Sequence, residues 1–337
     1  MNSLSSITFE RACINDVVPL ATAASLIEAG AVVSVAGRAE ALAQLPPGTW
    51  IGGTTPYVMS AVGGAKLDRE HVFLTDFSGL GEARVASYGS DALDRISGDA
   101  PADGFALAII PFKSRCHERF ARDAADYPMA FLRPTFGWIA GYDLTEPGSC
   151  ALSFAGDGMA SRDDEVAVLH ISLPAGKVPH VELVNLFEPD AHDAIRFPQT
   201  SFSPSRAWIG EREVDFAAYV RSRGLEHGAL PLVGDFAGAR LNASLQSVES
   251  DRVELYAPVF PGVTYHFAKP VGDYGAAFAQ RLRDMPTEGR LFSCNCILNY
   301  VLGNLEGRAI GGFGGPITFG EIAYQLLNQT LVEVRAV

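Results

Sequence analysis

An apolar, strand-like run that ends in glycine occurs four times in this chain, at residues 50–53, 138–141, 232–234 and 310–312. Short apolar runs bounded by glycine read as buried strands. A glycine at the strand end lets other backbone, or a ligand, come close because no Cβ stands in the way. Each run has a helical pattern before it and a strand-like segment after it. In the second and fourth units the helix itself follows a strand, at 105–110 and 290–294. The spacing predicts a weak internal duplication with two units per half. The fold class that follows is α/β in the mixed α+β sense: two pseudo-repeated halves, with mixed β-sheets packed between helices.

The remaining segments fill in this plan. Residues 17–29 carry a helical apolar spacing, with Asp16 as N-cap and Gly30 as stop. Strands are expected at 31–36, at 71–77 (half-exposed, by its alternation) and at 166–173. Ser114 should cap a helix over 114–126, and the polar stretch 79–104 reads as a loop with one helical turn. Five prolines between 174 and 204 mark the connection between halves, because proline rejects helix interiors and central strands. A strand at 181–187 is embedded there. Beyond it come a helix at 211–223, a hairpin of 253–257 with 263–267 around Pro261-Gly262, a helix at 273–282 and a closing strand at 330–334. The expected organisation is an N-terminal helical segment at 1–30, one domain at 31–180 and a second at 181–337.

A net charge of −13 and the lack of a basic cluster argue against nucleic acid and against an acidic membrane surface. No apolar run reaches the roughly 20 residues of a membrane span, and the start lacks the charge and apolar pattern of a signal peptide. The five cysteines, Cys13, Cys116, Cys150, Cys294 and Cys296, are odd in number and scattered. They fit free thiols in a reducing compartment, so the expected location is the cytoplasm.

The glycine run 311–315 fails the dinucleotide spacing in every register, and Pro316 follows it directly. A Walker loop is absent. Cys294 stands at a strand end before a helix, a placement that lowers a thiol pKa. With His266 or His227 as base it is the candidate nucleophile of a hydrolase or transferase; the bland alternative is a packed core thiol. Cys294 and Cys296 are too close for a structural zinc pair, and no metal is expected. A haem needs only one axial protein ligand, for which His117 and His170 are candidates. The acidic run 163–165 reads as a solvated hairpin tip. Glu321 reads as the cap of a helix at 322–327 or as a carboxylate for an amine or polar ligand. Arg115, Arg133 and Arg308 are candidate partners for a ligand carboxylate.

The motif Phe292-Ser293-Cys294-Asn295, then a helix, then Ile310-Gly311-Gly312-Phe313 and Gly320-Glu321-Ile322, resembles the C-terminal signature of FIST proteins. Ile51-Gly52-Gly53-Thr54-Thr55 is similar to that family's Gly-x-Thr-Thr turn, and Trp138-Ile139-Ala140-Gly141-Tyr142-Asp143 to its later Gly-Asp step. Family members continue the Cys-Asn step with Gly-Arg-Gly; this chain has Cys296-Ile297-Leu298. The resemblance implies a non-catalytic sensory protein that binds a small molecule, with amino acids proposed and haem in some members. Its signal would pass to a separate histidine kinase, cyclase or chemoreceptor. The expected binding residues are Thr54, Thr55, Cys294, Asn295, Gly311, Gly312 and Glu321, in a pocket between the halves.

Overall fold

The computed structural model describes residues 15–337 apart from Ala160, Ala237, Asp284 and Thr287. Cys13 and the first 14 residues of the expected segment 1–30 lie outside the described residues. Three of the four glycine-ended runs belong to strand–helix–strand units whose two strands are parallel neighbours. Val33–Gly37, helix Ala39–Leu42 and Trp50–Thr54 make the first. Gly104–Pro111, helix Arg115–Asp123 and Thr135–Ala140 make the second. Arg290–Cys296, helix Ile297–Leu302 and Gly315–Thr318 make the third. Parallel neighbours need a crossover, and the short helices supply it. Ser114 caps the longest of the three, its hydroxyl accepting from the His117 N–H at 3.0 Å.

The run at 232–234 departs from the repeat. Leu232–Phe236 lies antiparallel between Ala239–Ala243 and Thr264–Phe267. Residues 310–312 are not a strand at all: Gly311 and Gly312 take φ of 54° and 74°, and the strand forms only afterwards, at Gly315–Thr318.

The strands assemble into four larger sheets and one two-stranded ribbon. The first sheet orders Asn15–Pro19, His71–Asp76, Val33–Gly37, Trp50–Thr54 and Ser153–Ala155. The second orders Gln325–Leu327, Glu321–Ala323, Thr135–Ala140, Gly104–Pro111, Glu165–Ser172 and Ala83–Gly89. The third orders Pro179–Val184, Leu331–Ala336, Arg290–Cys296, Gly315–Thr318, Tyr57–Ser60 and Gly63–Lys66. The fourth, built around Thr264–Phe267 and Leu232–Phe236, comes wholly from the second half. The second and third sheets each draw strands from both halves: Gly315 pairs with Met59, and Glu321 with Trp138. The expected boundary at 180/181 falls inside Pro179–Val184, which pairs with the last strand of the chain.

Among the described residues helices cover 16% and strands 39%: the fold is mixed α+β, with several mixed sheets and a few helices packed around them. One face of the second sheet, with Phe105, Leu107, Ile109, Phe136 and Trp138, meets Ile51 and Phe73 of the first sheet and Phe292 and Cys294 of the third. The Phe136 ring lies 4.8 Å from Phe105 and 5.5 Å from Phe292. Each such buried phenylalanine contributes about 1.5–3 kcal/mol. The other face, with Ala106, Ala108 and Ile110, is covered through Cys116 and Phe120 of the helix Arg115–Asp123.

Several local expectations need correction. Residues 15–19 form an edge strand along His71–Asp76, so the first helix starts only at Leu20, and Asp16 does not cap it. His71–Asp76 is buried beyond its first residue, because neighbours cover both faces. The polar stretch 79–104 contains the strand Ala83–Gly89, the edge partner of Glu165–Ser172. Residues 212–215 close a hairpin with Arg206–Ile209 before the helix Phe216–Ser222 begins. Val253–Leu255 pairs with Leu245–Val248, not with Thr264–Phe267. The expected helix 322–327 is a tight hairpin of Glu321–Ala323 with Gln325–Leu327, turning at Tyr324 with φ 64°. Among the described residues, no helix is long and apolar enough to cross a membrane.

Candidate ligand-binding site at the strand ends

The C-terminal ends of the parallel strands converge. The Gly141 N–H donates to the Thr54 carbonyl at 2.6 Å, and the Thr54 hydroxyl donates to the Gly141 carbonyl at 2.6 Å. The next hydroxyl, on Thr55, donates to the Ile317 carbonyl at 2.6 Å and so ties the first unit to the third. Ligands in α/β sheets favour such strand ends. Here two neighbouring threonines face different surroundings: Thr55 an inner polar core, Thr54 an outer cleft.

The inner core gathers most of the residues expected from the sequence. Cys294, Asn295 and Glu321 are fully buried. Glu321 accepts from the Thr318 hydroxyl at 3.1 Å and from Thr330 through both its N–H and its hydroxyl. Burial pushes the Glu321 carboxyl up to about 8, against the opposing effect of those donors. It is a strand residue bonded to Thr318 of another strand and to Thr330, just before the last strand, and is not a helix cap. The Asn299 amide donates to the Asn295 side-chain oxygen at 2.8 Å and to the Thr330 carbonyl at 3.3 Å. Among the described residues, Asn295 Nδ2 and Asn299 Oδ1 are buried without a hydrogen-bond partner.

The Cys294 thiol faces the Gly137 carbonyl at 3.6 Å, and burial first, then the Glu321 carboxyl, push it well above the usual thiol range. Cys296 is shifted the same way for the same two reasons. This setting disfavours the thiolate, the opposite of what a nucleophile requires. Gly311 and Gly312 lie apart, exposed on a loop where the Arg290 guanidinium donates to the Gly312 carbonyl at 3.1 Å.

The outer cleft encloses about 270 Å³ and is lined by Arg38, Thr54, Tyr142, Asp143, Glu146 and Cys150, among others. Thr54 is the one residue from the expected set that borders it. Two larger clefts, of about 410 and 320 Å³, lie beside Trp50 and Phe154 and beside Asp235 and His266. Neither is bordered by a residue from that set. The cleft at Thr54 is distinguished by a buried charge in its wall. The Asp143 side chain, 3% exposed, accepts from Arg38 at 2.8 Å and pairs with Lys66 at 2.7 Å. The Thr145 N–H and hydroxyl donate to it at 3.0 and 2.8 Å, and the Tyr57 hydroxyl at 3.3 Å. Burial alone would raise its pKa, but Lys66, Thr145 and Arg38 hold the carboxyl well below the usual range. Tyr142 forms an aromatic wall, its ring 4.8 Å from Phe319.

The other expected residues are engaged elsewhere. Arg115 pairs with Asp164 and Arg308 with Asp273, while Arg133 donates to the Gly98 and Ala100 carbonyls. Asp164 also accepts from the Cys116 N–H in the first turn of the helix Arg115–Asp123, so the acidic run 163–165 is in part a helix cap. His117 is buried between the Phe112 and Phe202 rings, and His170 meets the Tyr88 hydroxyl at 3.0 Å. Burial lowers both to about 4. Neither borders one of these three clefts. Among the described residues, no group of three or more His, Cys, Asp or Glu is placed to hold a metal ion.

Arg38, Tyr57 and Lys66 were not singled out from the sequence. Asp143 stood at the end of a quoted motif without a role. More than a hundred positions separate Arg38 from Asp143, and no local pattern signals that pairing.

Residues 18–337 match the model of a family of unknown function (DUF6976), and the chain belongs to that family. No curated protein matches the sequence.

Proposed function

We propose that this DUF6976 protein is a non-catalytic, small-molecule-binding protein with a sensory role, and that its ligand occupies the cleft beside Thr54. The observation that carries the reading is the Asp143–Arg38–Lys66 cluster in the wall of a 270 Å³ cleft at converging strand ends. A few fixed polar groups in a concave site are what orient a small ligand. A cleft of this size suits a small polar molecule, an amino acid being the first candidate. The sensory part, with a separate histidine kinase, cyclase or chemoreceptor as partner, rests on the resemblance of the Phe292–Asn295 and Gly320–Ile322 motifs to FIST proteins. The alternative of cysteine-dependent catalysis draws no support from Cys294, given its burial and raised pKa.

Thermal unfolding with a panel of amino acids, amines and small carboxylates tests this reading. A ligand at a hundred times its Kd should stabilise the fold by about 2.7 kcal/mol, and Arg38→Met should remove the effect. If no compound in the panel moves the unfolding transition or the amide resonances of Tyr142 and Cys150, the cleft is not a binding site.

A further inference from the structure

Within the cleft, the contacts of Arg38 are unequal. Its Nε donates to the Leu67 carbonyl at 2.9 Å, and one terminal nitrogen donates to Asp143 at 2.8 Å. The other terminal nitrogen donates to the Glu146 carboxylate at 3.0 Å. Asp143 cannot leave without stranding Lys66, Tyr57 and Thr145, and its side chain is 3% exposed. Glu146 is held far less firmly. Its side chain is 50% exposed, and Arg38 is the one ion-pair partner it has among the described residues. The Glu146 backbone is anchored separately: its N–H donates to the Asp143 carbonyl at 3.1 Å. The side chain can therefore swing away while the loop stays in place. The Glu146 end of the ion pair is open to water, where such a contact is screened and weak, so it is readily exchanged. An arginine fork also binds a carboxylate better through two parallel bonds than through one.

We propose that the Glu146 carboxylate is a resident stand-in for a carboxylate of the ligand, and that the two compete for Arg38. The ligand class is then a small molecule bearing a carboxylate, with Arg38 as its recognition group and Glu146 as an internal competitor that sets the affinity. This rests on the cleft being the binding site. It adds which chemical group of the ligand is read, and by which residue.

The test is a titration of the full chain with sodium acetate, following the Arg38 side-chain Nε–H resonance. Sodium chloride at matched ionic strength is the control. Acetate should move that resonance beyond the chloride effect, and Glu146→Gln should tighten acetate binding about two- to fivefold. Glu40→Gln removes the same charge from the same cleft, but the Glu40 carboxylate faces Arg69 at 3.5 Å rather than Arg38. That variant should give a smaller gain. The proposal is overturned if Glu146→Gln brings no gain, if Glu40→Gln matches it, or if chloride acts as acetate does. Methylammonium separates the two levels. If it perturbs the cleft while acetate is silent, the binding reading stands and the exchange falls. If neither probe acts, nor any compound of the panel, both fall.

Discussion

Thr330 gives both its backbone N–H and its hydroxyl to one oxygen of the Glu321 carboxyl group, at 3.2 and 2.7 Å. The other oxygen accepts from Thr318. Each of these donors favours the ionised form, yet full burial with no ion-pair partner among the described residues outweighs them and pushes the group up to about 8. Unpaired charge in a low-dielectric interior is costly, so at neutral pH Glu321 is held as the neutral acid.

The sign of the pH dependence follows. Above the ordinary carboxyl range the unfolded chain loses this proton while the folded chain keeps it, so stability falls as pH rises towards about 8. The term is fully present below about pH 4.5 and amounts to something on the order of 4 kcal/mol. Glu321→Gln keeps a neutral side chain with both donor and acceptor. Urea unfolding should find the two proteins similar at pH 5 and the variant more stable at pH 8.5, by roughly 3 kcal/mol or more. Parallel pH profiles would mean that Glu321 is ionised in the fold.

Asp143 titrates in the opposite sense. Its carboxyl is held well below the usual range despite burial, so its contribution is present above about pH 4 and lost as pH falls further. Asp143→Asn leaves Arg38 and Lys66 without their buried partner. Removing one member of a buried pair costs about 3–5 kcal/mol; because Lys66 is 31% exposed, we expect roughly 2–3 kcal/mol here. Denaturation at pH 7 should show this loss, and the gap between the two proteins should narrow progressively as pH falls below about 4.

The contrast between these two carboxylates shows what the sequence reveals. The strand–helix–strand units are legible because apolar runs, a Ser114 cap and glycine stops are local signals. Sheet membership is not. Nothing near Gly315 indicates that it will pair with Met59, and nothing near Glu321 indicates that its strand will lie along Trp138. Glu321 reads as a helix cap because 322–327 is apolar with a helical look; the tight turn at Tyr324 folds those residues into a hairpin. The site divided likewise. Motif residues were found, but Cys294, Asn295 and Glu321 proved to be core, whereas the cleft depends on Arg38 and Lys66, brought together only by folding.

Thiol chemistry separates core from cleft directly. Cys150 is exposed at the cleft, while Cys116, Cys294 and Cys296 are buried. Burial pushes Cys116 up to about 12 and the other two well above the usual range. Brief alkylation of the folded protein at pH 8, followed by peptide mass mapping, should find label on Cys150 and none on these three. Labelling of Cys294 at a rate comparable to Cys150 would restore the nucleophile reading.

The two kinds of glycine should respond differently to a single methyl group. A Cβ on Gly141 would lie 1.9 Å from the Phe319 ring, which packs against Tyr142 in the cleft wall. Overpacking of this kind costs about 1–3 kcal/mol, and any shift of Phe319 is passed to Tyr142. Gly312 has open space around its missing Cβ, but its φ of 74° is left-handed, so alanine there costs about 1–2 kcal/mol in backbone strain alone. Gly141→Ala should therefore lower stability and also weaken whatever ligand the cleft takes. Gly312→Ala should lower stability and leave that affinity unchanged, because the loop carrying it does not border the cleft. Loss of ligand affinity in Gly312→Ala with an intact cleft would return the glycine loop to the binding site.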